Sequence, residues 1–385
     1  MQNRIPCFVP PKIAVKPRKR LTISCPFIII VKDYFVNQTI VAFPRFLGER
    51  FELLGSVEII NSQLIGTGSC IPDFVLTNAM LEQMVDTSDE WIVKRTGVRE
   101  RRIAKNTHTW ELALGAAQDA LQDAGVSAEE LDLILVSTCT PDNNTPNTAS
   151  ILQDKLGARQ VGAMDINNAC TGFVSATDIA DSYIKAGKAK TVLVVSAETL
   201  HRIVDYTDRS TCILFGDGAA AAVYRATENE NIGIQSTFVA ADGSGADYLH
   251  MQALPVEDPF APERPVDPRA RFLKMQGAAV VRFTARAVPQ AIDTALQRAG
   301  VSADQIDWVV PHQANLRILD VIAKRYNLPR EKVYVNMEYF GNTSSASVPI
   351  CLDEMRKKGL LSAGQTIVCT GFGAGLTYGA FVLKL

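Results

Sequence analysis

The chain has 385 residues, of which 47% are hydrophobic and 21% charged, and its formal net charge is −2. These values are typical of globular proteins and exclude a disordered or collagen-like chain. They also lack the excess of Lys and Arg that non-specific nucleic-acid binding requires. No apolar run approaches the roughly 18 residues of a membrane helix, so neither nucleic acid nor membrane is predicted as a partner.

The first 57 residues differ in composition from the rest. Residues 1–32 carry seven basic side chains, no acidic one and five prolines, which prevent a long helix. We interpret residues 1–57 as an N-terminal extension that is loosely ordered. A transit peptide is the alternative, because such peptides also lack acidic residues.

The cysteines and histidines do not form metal-binding or disulfide patterns. Eight cysteines are spread over the chain without a CxxC pair, and the four histidines show no HExxH spacing. A reducing, cytoplasmic location without a metal site is therefore predicted.

From about residue 58 the pattern alternates between helices and strands, and it contains an internal repeat. Ala120–Asp132 (ALQDAGVSAEELD) and Ala295–Asp307 (ALQRAGVSADQID) lie 175 residues apart and match at nine of thirteen positions. In both, a helix ends at a glycine, and a Ser with an acid or amide three residues on predicts a capping box. An apolar strand follows each. Duplication explains this order best.

The same offset pairs Cys170 with Ser345, each between an Asn-rich turn and a predicted helix, 171–186 or 345–358. We therefore predict an α/β protein with two similar halves, 58–235 and 236–385. Each half has a mixed sheet with helices on its faces.

The second half contains the proline-rich stretch Pro255–Pro268. It is predicted to be a surface loop or lid.

Cys170 is the first candidate catalytic residue. It follows a predicted strand and stands at the start of a helix, where the helix dipole favours a thiolate. For a cysteine considered alone, a buried structural role is more common than a catalytic one.

His312 and Asn342 strengthen the prediction that Cys170 is catalytic. His312 ends the strand of the second repeat, where α/β proteins place their sites, and Asn342 precedes the helix that mirrors the Cys170 helix. Related halves would bring all three side chains to one cavity. A Cys can take an acyl group from a thioester, while a neutral His and an Asn donate hydrogen bonds to an enolate formed by loss of CO2.

In these residues and in the stretches around them, the chain resembles the β-ketoacyl-acyl-carrier-protein synthase III family. These are the initiating condensing enzymes of fatty-acid synthesis, in the thiolase superfamily. The resemblance covers about 325 residues, all but the N-terminal extension. The matching stretches, in family order, are LIGTGSCIPD (64–73), DTSDEWIVKRTGVRERRIA (86–104), NNACTGF (167–173), DRSTCILFGDGAAAAVY (208–224), PHQANLR (311–317), GNTSSASVP (341–349) and GFGAGLTYG (371–379).

The resemblance implies a duplicated thiolase-like fold with a layered αβαβα core. It also implies decarboxylative condensation of an acyl-CoA primer with malonyl carrier protein. Cys170 would be the nucleophile and His312 with Asn342 the decarboxylation pair. The backbone N–H groups of Cys170 and Ala374 would form the oxyanion hole, and Phe372 would line the Cys pocket.

The resemblance further implies a coenzyme A site and no cofactor beyond this substrate. Trp91 and Arg209 would sandwich the adenine. The other implied coenzyme A contacts are Thr87, Arg95, Gly277 and Asn315. Arg317 would lie where the acidic acyl carrier protein docks, and the enzyme would be a homodimer.

Two positions bear on the primer. Thr145, which would reach the pocket from the dimer partner, replaces a bulky Phe of many acetyl-specific members, and Val281 replaces a Phe near the tunnel. We expect a primer longer or more branched than acetyl.

The sequence alone leaves three alternative functions open. A family relative that acylates a different acceptor in secondary metabolism is one alternative, and CO2 release separates it from a condensing enzyme. A non-catalytic acyl-CoA-binding or scaffold protein would show no acylation of Cys170. A nucleotide-binding dehydrogenase is disfavoured because GFGAG (371–375) precedes a predicted strand and not a helix.

Overall fold

A computed structural model describes residues 29–32, 39–42, 60–252, 260, 267 and 269–385. The chain divides into two compact units, 1–58 and 59–385. In the first, two short strands pair antiparallel, and most of the predicted N-terminal extension lies outside the described residues. The predicted loop Pro255–Pro268 also lies outside them, apart from residues 260 and 267.

Two of the described strands, β1 and β2, belong to the first unit, and the other strands and all the helices belong to the second. The strands are β1 (Ile29–Lys32), β2 (Thr39–Ala42), β3 (Asn61–Cys70), β4 (Phe74–Thr77), β5 (Glu100–Ile103), β6 (Leu133–Ser137), β7 (Gly162–Ile166), β8 (Thr191–Glu198), β9 (Gly218–Thr227), β10 (Gly233–Ala241), β11 (Leu249–His250), β12 (Lys274–Met275), β13 (Trp308–Pro311), β14 (Thr366–Gly373) and β15 (Thr377–Lys384). The helices are α1 (Asn78–Glu82), α2 (Asp89–Thr96), α3 (Thr109–Ala124), α4 (Thr148–Leu156), α5 (Gly172–Lys185), α6 (Gly277–Ala299), α7 (Leu316–Arg325), α8 (Met337–Phe340) and α9 (Ser347–Lys357).

Two mixed sheets form the framework of this unit. One has five strands in the order β3-β9-β8-β6-β7, and the other has four in the order β10-β15-β14-β13. In the first sheet β6 runs parallel to β7 and β8, and in the second β13 runs parallel to β14. The remaining pairs are antiparallel.

Helices cover both faces of each sheet. Helices α5 and α9 share one apolar core with strands of both sheets, so they form the central layer. Helices α3 and α4 pack on the outer face of the five-stranded sheet, and α6 and α7 on the outer face of the four-stranded sheet. The predicted αβαβα layering is confirmed.

The caps predicted from the repeat are present in both copies. Helices α3 and α6 end at Gly125 and Gly300, whose φ values of 63° and 65° lie in the left-handed region that glycine adopts readily. Ser127 and Ser302 then form capping boxes, each at the start of a 3₁₀ turn. Strands β6 and β13 follow as predicted.

The turns before α5 and α9 also correspond. Ala169 and Ser344 have positive φ values of 44° and 50°, a conformation uncommon outside glycine. Each opens a 3₁₀ turn, so α5 and α9 begin one and two residues later than predicted. The division into halves at 235/236 stays a prediction, and this boundary falls within β10.

Candidate active site

The three candidate catalytic residues lie on one cavity of about 840 Å³. Cys170 stands before α5, His312 follows β13, and Asn342 precedes the turn into α9. All three are at least nine-tenths buried. The sequence therefore predicts correctly that these segments meet.

Burial has the largest effect on the pKa of Cys170. It raises the pKa of the Cys170 thiol to about 12, and the nearby Ser344 side chain acts on this pKa in the opposite direction. Burial therefore opposes the effect of the helix N-terminus on the thiol, and any proton on Cys170 has to leave when the sulfur attacks.

His312 is held as a neutral imidazole. Its Nδ1 lies 2.7 Å from the Ser347 hydroxyl, and its ring meets the ring of Phe372 edge-on at 5.2 Å between centroids. Burial lowers the pKa of His312 to about 3. With Nδ1 engaged by Ser347, Nε2 is the ring nitrogen left to bind a ligand in the cavity.

Asn342 presents its amide nitrogen as the available end of the side chain. Its Oδ1 accepts a hydrogen bond from the Ser344 backbone N–H at 2.9 Å. Its backbone N–H donates to the Leu214 carbonyl at 2.8 Å, and its carbonyl accepts from the Gly216 N–H. The backbone is thus fixed on both sides, and Nδ2 is left as a neutral donor.

Two glycines of β14 allow its backbone to approach Cys170. A Cβ at Gly373 would lie 2.8 Å from Cys170 Cβ and 3.0 Å from Sγ, and one at Gly371 would lie 3.0 Å from the Cys170 carbonyl oxygen. Ala374, the predicted second oxyanion donor, follows directly but does not line the cavity. Its role stays a prediction.

We expect Gly373→Ala to slow acylation of Cys170 at least about tenfold, because the added methyl displaces the nucleophile. Gly243→Ala is the matched control, since a Cβ there meets nothing within 4 Å. Mass spectrometry of the acyl adduct measures both. Equal rates for the two variants would contradict the expected contact.

The coenzyme A residues lie at the outer part of the same cavity. Trp91, Arg95 and Arg209 all line it, and both guanidinium groups lie over the indole ring, at 5.1 Å for Arg95 and 5.2 Å for Arg209. Arg209 also donates to the Asp86 carbonyl oxygen at 2.7 Å. An adenine stacked between the Trp91 indole and the Arg209 guanidinium needs about 3.5 Å on each side, which is more than their present separation. Arg209 therefore has to move before the predicted sandwich can form.

The other predicted coenzyme A contacts differ in how available they are. Gly277 lines the cavity at the start of α6. The Asn315 amide already caps α7 and bonds the Arg95 carbonyl, which leaves one N–H for a ligand. Thr87 lies outside the lining, and its Oγ1 is buried without a hydrogen bond within the described ranges.

The specificity and docking residues are exposed. Arg317 lies in the first turn of α7 at the cavity mouth, and Val281 lines the cavity with half its surface exposed. Thr145 is exposed and does not line the cavity of its own chain. Its predicted entry into a partner's pocket stays a prediction.

Four polar residues around Cys170 escaped the sequence analysis: Cys139, Glu198, Ser344 and Ser347. The two serines belong to the same GNTSSASVP stretch as Asn342, so their proximity to it was a usable indication. Cys139 follows β6 and Glu198 is the last residue of β8, and the parallel pairing of these strands brings their ends together.

Comparison with known proteins agrees with this geometry. The family described as 3-oxoacyl-[acyl-carrier-protein (ACP)] synthase III matches residues 164–243, and its C-terminal domain family matches residues 296–385. A β-ketoacyl-[acyl-carrier-protein] synthase III of Clostridium novyi is 43% identical over 324 residues, 84% of this chain and 99% of that protein. The chain belongs to the 3-oxoacyl-[acyl-carrier-protein] synthase III family. It is therefore an acyltransferase.

Solved structures of synthase III proteins share the fold. The enzyme from Aquifex aeolicus superposes with a TM-score of 0.78 at 44% identity, over 84% of this chain and all of that one. The priming β-ketosynthase of the R1128 polyketide pathway gives 0.78 at 38% identity, over 86% and 98%. Among α1–α9, no helix has the length and hydropathy of a membrane span.

Proposed function

We propose that this synthase III family member condenses an acyl-CoA primer with malonyl-acyl carrier protein, and that Cys170, His312 and Asn342 carry out the chemistry. The observation that supports it is one cavity with a buried thiol and two neutral donors. The product is 3-oxoacyl carrier protein, with coenzyme A and CO2 released, and it initiates fatty-acid synthesis.

The first half-reaction moves the acyl group to the protein. The Cys170 sulfur forms a bond to the acyl carbon, and the bond from that carbon to the coenzyme A sulfur breaks. Backbone N–H groups of Cys170 and Ala374 would stabilise the oxyanion that forms on the way.

The second half-reaction forms the carbon–carbon bond. Loss of CO2 from the malonyl group leaves an enolate, whose oxygen would accept hydrogen bonds from His312 Nε2 and Asn342 Nδ2. A neutral imidazole suits this role in the tautomer in which Nδ1 accepts the Ser347 hydroxyl proton, because Nε2 then carries the N–H. The enolate carbon then attacks the acyl group, and Cys170 is released.

The cavity mouth supports the proposed partners. Arg95, Arg209 and Arg317 place positive charge there, which suits coenzyme A phosphates and an acidic carrier protein. We propose a homodimer and no cofactor besides the substrate. We also propose that residues 58–235 and 236–385 are duplicated halves.

The test combines radiolabelled acyl-CoA, malonyl carrier protein and a Cys170→Ala variant. Labelled 3-oxoacyl product and CO2 that depend on Cys170 would establish the condensation. Labelled Cys170 without CO2 release would reject it. That result would favour acyl transfer to a different acceptor.

A primer longer or more branched than acetyl is our expectation for the unmodified chain, because Thr145 and Val281 are small. We expect Val281→Phe to lower turnover of octanoyl-CoA at least about tenfold relative to acetyl-CoA, since the ring would occupy cavity volume. Thr145→Phe should do the same if Thr145 enters the partner's pocket. A strong acetyl preference in the unmodified chain would contradict the expectation.

A further inference from the structure

Arg101 is a fully buried cation that the condensation described above does not use. It stands in β5 at 0% exposure and does not line the cavity. Its hydrogen-bond acceptors within the described ranges are three neutral oxygens and no carboxylate, and its Nε has no partner there. Burial lowers the pKa of Arg101 to about 10, so the side chain is still charged at neutral pH. A buried charge without a counter-ion is costly to keep, which makes it a candidate for function.

The guanidinium joins two separate parts of the chain. On one side, Nη1 donates to the Leu76 carbonyl oxygen at 3.2 Å and to Asn78 Oδ1 at 2.7 Å. On the other side, Nη2 donates to the Ile213 carbonyl oxygen at 2.6 Å. Residues 213–215 form part of the cavity wall. Hydrogen bonds from a charged donor are stronger than neutral ones, so Arg101 fixes this wall relative to β5.

The same wall holds the backbone of Asn342. The Asn342 N–H donates to the Leu214 carbonyl oxygen at 2.8 Å, and its carbonyl oxygen accepts from the Gly216 N–H at 3.0 Å. The first of these bonds lies one residue beyond the Ile213 carbonyl that Arg101 binds. The place of Asn342 in the cavity therefore depends on a segment that Arg101 anchors.

The stem of Arg101 also packs against the turn that carries Asn342. A Cβ at Gly341 would lie 3.1 Å from Arg101 Cβ, and one at Gly216 would lie 3.0 Å from it. Gly341 has a φ of 66°, in the left-handed region that glycine adopts readily. The two glycines thus bring the chain directly onto Arg101, and close packing transmits a shift of one to the other.

We propose that Arg101 is a positioning residue that holds Asn342 Nδ2 in place for decarboxylation, acting through the Ile213 carbonyl and the turn at Gly341. A donor stabilises the enolate oxygen only when it is aimed at that atom beforehand, and a small displacement costs much of the effect. The inference rests on the proposed function, which gives Asn342 its part in the loss of CO2.

Acylation should depend much less on Arg101. Cys170 lies in the turn before α5, where the backbone of Gly371 and Gly373 in β14 packs against it. The hydrogen bonds of Arg101 go to neither of these elements. The two half-reactions therefore separate loss of positioning from general damage to the fold.

The first test is Arg101→Met, which keeps an unbranched side chain and removes every hydrogen bond of the guanidinium. CO2 release from malonyl carrier protein is measured without primer, and acyl-Cys170 formation by mass spectrometry at saturating acyl-CoA. The kcat for CO2 release should fall at least about tenfold, with KM for malonyl carrier protein nearly unchanged. Acylation should fall less than about threefold. Unchanged CO2 release, or equal losses in both half-reactions, would overturn the inference.

A double-mutant cycle shows whether Arg101 acts through Asn342. In an Asn342→Ala background there is no amide left to position, so Arg101→Met should lower CO2 release by less than about twofold more. Losses that multiply would overturn the inference, because a purely structural role predicts independent effects. If Arg101→Met does not fold, the assays and the cycle use Arg101→Lys, which keeps the charge and the stem. Its single amine cannot bind both sides, so CO2 release should again fall more than acylation.

Asn78→Ala is the matched control. It removes a partner of the guanidinium on the side away from Asn342, and Nη1 retains the Leu76 carbonyl. CO2 release by this variant should stay within about twofold of the unmodified rate. A loss as large as that of the Arg101 variant would overturn the inference. A failure of the proposed function would instead show as absent acylation and CO2 release in the unmodified chain.

Discussion

Replacing Cys170 by alanine should abolish acyl transfer while leaving release of CO2 from malonyl carrier protein. The sulfur forms the covalent bond to the primer, so condensation should fall at least about 10³-fold, equivalent to about 4 kcal/mol of transition-state stabilisation. His312 and Asn342 are held by Ser347, Ser344 and the backbone of Leu214, and none of these contacts involves the sulfur. Acyl-adduct mass spectrometry and CO2 trapping measure the two steps.

The result has a structural control in Cys170→Ser. Serine keeps a polar atom at the position of the sulfur but is a weaker nucleophile, so it should also fail to condense. If Cys170→Ala lost both acylation and CO2 release, the two half-reactions would not be divided among the residues as proposed.

Changing Asn342 to aspartate should give the opposite pattern. Asn342→Asp keeps an oxygen for the Ser344 N–H and the same side-chain size, but replaces the Nδ2 donor by a second oxygen. A carboxylate facing a developing enolate oxygen repels it and donates nothing. CO2 release should therefore fall about 10²- to 10³-fold, while Cys170 is still acylated.

Acylation in the same preparation is the internal control for folding of Asn342→Asp. Unfolding would remove both activities, whereas loss of the donor removes only decarboxylation. Unchanged CO2 release from the variant would show that Asn342 does not contact the enolate, and would leave His312 as its only proposed side-chain donor.

The sequence predicted well the parts of the site that depend on local patterns. Gly125 and Gly300 end helices because their left-handed backbone suits glycine, and Ser127 and Ser302 cap the next turns. The 175-residue offset then placed Cys170 opposite the segment after Asn342. The layered fold also followed from the repeat and the family resemblance.

The sequence did not show properties that arise only from packing. The dipole argument favours a thiolate at Cys170, whereas desolvation in the finished core raises the pKa of its thiol. Likewise, Glu198 and Cys139 meet through the pairing of β6 with β8 across 59 positions, and no local pattern shows this contact.

The closed position of Arg209 is a third case. Its guanidinium lies over Trp91 at 5.2 Å from the ring centroid and donates a hydrogen bond to the Asp86 carbonyl oxygen. Sequence identifies the two partners of a sandwich but not the distance between them before a ligand binds.

The cavity that both substrates would share also constrains the kinetics. Trp91 and Arg317 line the same 840 Å³ space that leads to Cys170, so a coenzyme A thioester and a carrier-protein arm compete for one approach to the sulfur. The first product has to depart before the second substrate enters. Double-reciprocal plots should therefore show parallel lines, and free coenzyme A should inhibit competitively against the malonyl substrate.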